Sequence, residues 1–342
     1  MPEITIEKVR TFLKKWEGQE ISLPTLRSEL GILQYDGSGK PTKAFDDIRD
    51  IVFSLTEQKI LRHTKRGVYM VVKQVTPIQV FGVEREDIPP FDLIFPRCFD
   101  TMMEMDFAED VVIREGDLVL ISGMSNFGKT TLCLNFCGEN IDTKPILMGN
   151  EYTIMTDTGY DVAPRFKSRL NIMSNTNGEG WIDWRDNKGN DKFTLLPVWA
   201  DYAEHIVKNK INIVDWINLP GEYYMISPVM EGIKKALGRG IGIIAIQKNE
   251  TSTAGRGGSM TRDFADLEIL IDRFGNNEVL LTLGKVKEAT KGVTGKTYAY
   301  SISQGVKIIN FREVKKCPAC RATGYTKGEK CSMCYGNKFV DR

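Results

Sequence analysis

The sequence predicts an α/β protein: a central domain with a mostly parallel sheet, a small helix-and-hairpin domain before it and a short metal-binding module after it. Three observations carry that prediction. Apolar runs fit for buried strands alternate with helical stretches through the middle of the chain, the pattern of a parallel sheet with crossover helices. One such run leads through a glycine loop, Gly123-Met124-Ser125-Asn126-Phe127-Gly128-Lys129-Thr130, into a helix. Two Cys-x-x-Cys pairs lie near the C-terminus.

With 342 residues and a hydrophobic fraction of 42%, the chain can build two or three compact units with a real core. Its formal net charge is +1, so attraction to nucleic acid has to come from local patches rather than a global field. No charge-free apolar stretch approaches the roughly 20 residues of a membrane span. The amphipathic start MPEITIEKVRTFLKKW lacks a signal-peptide core. The expected location is cytoplasmic, nucleoid-associated or within a viral replication machinery, without a membrane. Of seven cysteines, Cys98, Cys133 and Cys137 read as small buried apolar residues and four cluster at the end. That usage suits bound metal in a reducing compartment rather than a disulfide framework. Neither His63 nor His205 has a nucleophile partner visible in sequence, which argues against a hydrolase triad.

Residues 1–75 read as a winged-helix domain. A helix over 4–16 carries Val9, Phe12, Leu13 and Trp16 on one face, a second covers 21–30, and a third over 42–58 spaces Phe45, Ile48, Val52 and Leu55 helically. Strands at 60–63 and 67–72 then flank a basic turn at Lys65-Arg66. Three helices followed by a hairpin is the winged-helix pattern. With 13 basic and 10 acidic residues over 1–75, DNA binding and protein contacts both remain open. Residues 76–106, with Pro77, Pro89, Pro90 and Pro96, read as a linker. Residues 107–312 form the α/β domain and 313–342 the cysteine module.

The glycine loop between a strand at 117–122 and a helix from Thr130 is a phosphate-binding arrangement. Glycines let backbone N–H groups curl around phosphates, and the helix N-terminus adds a favourable dipole. The expected nucleotide-binding set is Gly123, Ser125, Asn126, Phe127, Gly128, Lys129, Thr130 and Thr131. Lys129 would reach the β- and γ-phosphates of ATP, and Thr130 would place its hydroxyl on Mg²⁺. The strand at 211–215 ends in Asp215, a second magnesium ligand. The strand at 146–151 ends in Glu151, which either prepares an attacking water or is an ordinary strand-end acid. The strand at 241–246 ends at Gln247, whose amide either senses the γ-phosphate or makes a loop hydrogen bond.

Cys317, Cys320, Cys331 and Cys334 offer four thiolates with the spacing of a closed tetrahedral Zn²⁺ site. Glycines at 324, 328 and 336 allow tight turns around it. A module this small lacks a core, so metal would supply much of its folding energy. It resembles a zinc ribbon, with partial similarity to the Cys-x-x-Cys-x-Gly-x-Gly units of DnaJ-type chaperones. Over 315–342 it carries seven basic and two acidic residues, which fits docking on DNA or a partner and equally a stabilising clip.

Over about 107–311 the chain resembles the RecA-like P-loop ATPase superfamily, with the pattern of DnaB-type replicative helicases and KaiC-like ATPases. In that family a catalytic glutamate occupies the place of Glu151, a magnesium aspartate that of Asp215 and a polar sensor that of Gln247. Residues 258–266 are similar to the helicases' Gly-Ser-x-x-x-x-x-Ala-Asp segment. Lys285 and Lys287 are similar to a Lys-x-Arg pair that reaches the neighbouring subunit's nucleotide, although Lys287 cannot clamp bidentately as arginine does. The resemblance implies a ring or filament, hexameric in the helicases, with ATP between subunits and loops facing DNA. Residues 250–262 are where such a loop falls, with Arg256 and Arg262 as phosphate contacts, or they are a flexible surface loop. The implied function is a DNA-dependent motor, helicase, translocase or strand-exchange recombinase. It would act on single-stranded or duplex DNA beside replication or recombination proteins. The alternative is a loader or regulatory ATPase that uses nucleotide as a switch. The long stretch between Glu151 and Asp215 has no place in this pattern.

Overall fold

The computed structural model describes residues 4–74, 90–217, 226–248 and 258–342. The chain divides into two compact units, Met1–Glu86 and Asp87–Arg342.

In the first unit, helix α1 (Ile6–Leu13) is followed by strand β1 (Glu20–Ser22), helices α2 (Leu23–Glu29) and α3 (Lys43–Glu57), and strands β2 (Leu61–Lys65) and β3 (Val68–Val71). The strands form an antiparallel sheet in the order β1-β3-β2. The helically spaced Val9, Leu13, Ile48, Val52 and Leu55 are buried together with Ile21, Leu61 and Val71. The expected helix over 21–30 is corrected at its start. Ser22 caps α2 by accepting from the Thr25 N–H, and proline stands in the first helical turn. Helix therefore begins at Leu23, and Glu20–Ser22 is left extended to pair with β3.

The second unit begins with β4 (Leu118–Gly123), α4 (Lys129–Glu139) and β5 (Ile146–Met148). A hairpin, β6 (Thr153–Thr156) and β7 (Gly159–Val162), leads to α5 (Pro164–Met173), β8 (Thr194–Leu196), α6 (Tyr202–His205) and β9 (Ile211–Val214). Then come α7 (Ile226–Ala236), β10 (Ile241–Gln247), α8 (Ser259–Phe264), β11 (Leu267–Phe274), β12 (Glu278–Val286), β13 (Thr297–Ser303) and β14 (Lys307–Lys316). Short strands β15 (Tyr325–Thr326), β16 (Glu329–Lys330) and β17 (Phe339–Asp341) follow.

Ten strands make one sheet, β17-β14-β13-β12-β11-β4-β10-β9-β5-β8. The six from β11 to β8 are parallel, and β12, β13, β14 and β17 extend the sheet antiparallel. Strands β4, β9 and β10 are buried on both faces, which is why they read as nearly unbroken apolar runs. Val119, Ile121, Ile213 and Ile243 face α4, while Leu118, Leu120, Val214 and Ile244 face α7. Cys98, Cys133 and Cys137 are buried. No helix among the described residues is long and apolar enough to cross a membrane.

Two expected boundaries differ. Residues 90–106 are folded onto the second unit rather than lying as a linker: Leu93, Phe95 and Met105 enter its core, and Asn140 bonds both backbone groups of Ile94. The prolines punctuate this segment, but its apolar residues hold it down. The expected boundary at 312/313 falls inside β14, which runs unbroken into Cys317 while β17 returns alongside it.

Candidate active site and metal centre

The loop after β4 turns through Asn126 (φ 67°) and Gly128 (φ 92°) before α4 begins at Lys129. Gly128 needs its left-handed backbone, and a Cβ there would lie 2.4 Å from Ile302 Cδ1. A Cβ on Gly123 would lie 2.2 Å from Ile271 Cγ1 of the neighbouring strand. The Lys129 ammonium bends over the loop, donating to the carbonyls of Gly123 (3.0 Å) and Met124 (2.8 Å). The loop borders a cleft of about 890 Å³, lined on this side by Ser125, Asn126, Gly128, Lys129, Thr130 and Thr131. Gly123 and Phe127 do not line it. Thr131 is committed elsewhere: its hydroxyl donates to the Gly305 carbonyl in the β13–β14 turn, 2.9 Å away.

Asp215 follows β9 directly and faces the same cleft, only 4% exposed. The Tyr152 hydroxyl donates to its Oδ2 at 2.6 Å, while Oδ1 is buried without a hydrogen-bond partner. Burial pushes this carboxyl above its ordinary pKa; the Tyr152 and Thr130 hydroxyls counter the shift, and the charge of Glu151 adds to it. An orphaned, buried carboxylate oxygen beside a threonine hydroxyl suits a hard divalent cation, so these residues fit Mg²⁺.

Strand β5 stops at Met148, and a 3₁₀ turn, Asn150–Tyr152, carries Glu151 to the cleft as an exposed side chain. This corrects the expected strand through 151: Tyr152 is buried at 1% exposure, and the turn is what tucks it inward. Gln247, the last residue of β10, donates from Nε2 to Ser125 Oγ at 2.8 Å, and the Lys248 N–H bonds the Gly123 carbonyl at 2.9 Å. The strand end thus holds the glycine loop directly.

Lys285 and Lys287 are not brought to this cleft. Lys285 Nζ donates to the Arg262 carbonyl at 2.9 Å, and Lys287 pairs with Asp266 at 2.7 Å. Burial alone would raise the Asp266 carboxyl, but hydrogen bonds from Lys234 and Lys287 hold it below the usual range. Arg262 pairs with buried Glu268 at 3.2 Å. Glu250 and Arg256 lie outside the described residues.

Three cleft residues with hydroxyl or charged side chains escaped the sequence reading: Tyr152, Arg165 and Arg169. Arg165 and Arg169 stand four apart on α5, so they share one face, and that spacing was the available signal. Among the described residues neither makes an ion pair or a hydrogen bond with the protein. Phe166 between them sits 4.6 Å from Tyr152, ring to ring, which fixes α5 to the Glu151 turn. Arg169 Nε lies beside Gly305, 3.7 Å from where a Cβ would be.

The four C-terminal cysteines are buried, with all thiol sulfurs within 4.8 Å of one another. Cys317 and Cys331 Sγ are 3.8 Å apart, and Cys320 and Cys334 Sγ 3.6 Å. A tetrahedron with zinc–sulfur bonds of about 2.3 Å has edges of about 3.8 Å, so the cage fits Zn²⁺. Backbone N–H groups led by that of Cys334 pull the Cys331 thiol down to about 6, while burial pushes the Cys334 thiol up to about 11, so Cys331 gives up its proton before Cys334 does.

No family model and no curated protein sequence matches the chain. Among solved structures it is similar to a KaiC-like protein, PH0186, from the hyperthermophilic archaeon Pyrococcus horikoshii OT3. That similarity has 13% identity and a TM-score of 0.42, over 65% of this chain and 98% of the other. A DnaB-like replicative helicase, whose structure also concerns its interactions with primase, gives 13% identity and a TM-score of 0.37 over 57% and 59%. The RadB recombinase gives 15% and 0.41 over 57% and 91%. The cleft is defined by its own geometry, independently of these partial likenesses.

Proposed function

We propose that this protein is an ATPase that couples hydrolysis in the α4 cleft to action on DNA, as a helicase- or recombinase-type motor. The observation that carries the reading is the meeting, in one cleft, of Lys129 and Thr130 with buried Asp215 and exposed Glu151. The loop amides and Lys129 would hold the β- and γ-phosphates. Thr130 and Asp215 would hold Mg²⁺, which when bound neutralises phosphate charge. Glu151 would orient the attacking water and take its proton. Gln247, hydrogen-bonded to Ser125, would register the state of the loop at the end of β10. Arg165 and Arg169 would meet the γ-phosphate from the same chain.

Two features support coupling to DNA. The first unit has the element order of a winged helix, and the cysteine module is basic. Steady-state ATP hydrolysis with no nucleic acid, single-stranded DNA and duplex DNA tests the proposal, beside Lys129→Ala. Single strands are expected to raise the rate several-fold, and Lys129→Ala to lower it by about 100-fold or more. A low rate indifferent to all DNA would remove the motor and leave a nucleotide switch.

A further inference from the structure

The cysteine module presents a face that the cleft does not use. Gly324 and Gly336, one after each cysteine knuckle, lie against each other: a Cβ on Gly324 would be 2.8 Å from the Gly336 carbonyl oxygen. Tyr325 follows the first glycine and Tyr335 precedes the second, so their backbones flank this contact. Both are exposed, at 56% and 78%. Lys330, which pairs with Tyr325 across the β15–β16 hairpin, runs its aliphatic stem beside Gly336. Arg321, Lys327, Lys330 and Lys338 are exposed, and among the described residues none has a carboxylate partner. Glu329 is the one acid within the hairpin, and Asp341 is neutralised by Arg312. The inward side is already filled, with Val340 on the cysteines and Phe339 on the sheet.

We infer that this outer face binds single-stranded nucleic acid, with Tyr325 and Tyr335 stacking on bases and Arg321, Lys327, Lys330 and Lys338 tracking the backbone. Exposed aromatics set among unpaired cations are the chemistry of a stacking platform. Bases can lie on such rings only when unstacked from a duplex, which selects the single strand. The inference rests on the proposed action on DNA and gives that action a surface.

Fluorescence anisotropy of a labelled 20-mer of dT with the full, zinc-loaded chain tests it. Tyr325→Ala and Tyr335→Ala should each weaken binding by roughly 5- to 100-fold. Tyr→Phe at either position should restore it, because the ring is what stacks. Lys327→Ala and Lys330→Ala should each lower the salt slope by about 0.7. Zinc content and melting temperature of each variant establish that the cage is intact. Unchanged affinity in both alanine variants, or equal affinity for duplex, overturns the inference even where single strands stimulate hydrolysis, and points the face to a protein partner. Tyrosine-dependent binding without stimulation upholds the inference and sinks the motor instead.

Discussion

In the proposed role Asp215 would serve two opposed demands. To hold Mg²⁺ it would have to be charged, yet it is buried, and burial raises its pKa. Its folded pKa lies above the unfolded value. Stability therefore falls as pH rises from the unfolded pKa towards the folded one, and the cost is complete only above the folded pKa. Asp215→Asn should accordingly abolish hydrolysis while raising the melting temperature of the metal-free protein, by about 2–4 °C for each kcal/mol recovered. A fall in melting temperature would show instead that the Tyr152 hydrogen bond dominates. At this scale the sequence was legible wherever chemistry is written in local spacing. Lys129 and Thr130 follow a glycine loop, and Asp215 ends an apolar strand. Tyr152 was not legible, because nothing nearby in sequence marks a tyrosine that will meet an aspartate 63 residues on.

Helix α5 is where element and site meet. It fills part of the stretch between Glu151 and Asp215 that had no place in the sequence pattern, and it lines the cleft with Arg165 and Arg169. Meanwhile Lys287 is tied to Asp266. Arg169→Ala should therefore lower kcat by about 10- to 100-fold with little change in KM, and Arg169→Lys should recover only part, since the planar fork is lost. The loss should persist in wild-type/variant mixtures in proportion to the variant fraction, because the arginine acts within its own chain. A steeper loss on mixing would mean that it serves a neighbour. The cysteine module makes a second prediction at this scale. It should bind one zinc per chain, and Cys331→Ser or chelation should release β17 from β14, seen as hydrogen exchange at 339–341. Its ligand set was readable in advance because Cys-x-x-Cys spacing dictates a cage. Its attachment was not, because strand pairing over 25 residues leaves no local mark.

Across the whole second unit, the sheet divides its labour. The parallel half holds the glycine loop, Asp215 and Gln247 at the ends of adjacent strands, where crossover topology gathers loops at one edge. That half was legible, since strands buried on both faces read as apolar runs. The antiparallel half was not: β12 to β14 carry partly buried polar positions, and their partners are set by turns rather than by composition. Strand β14 belongs to both ends of the molecule's chemistry. Just before it, Gly305 and Val306 are gripped by Thr131 and Asn135 of α4, and just after it comes Cys317. Its ten residues span about 33 Å. Paired with β13 on one side and with β17 on the other, it joins the turn held by α4 to the chain that enters the cysteine cage, and the one irregularity in its pairing with β13 falls between Ala299 and Ser301.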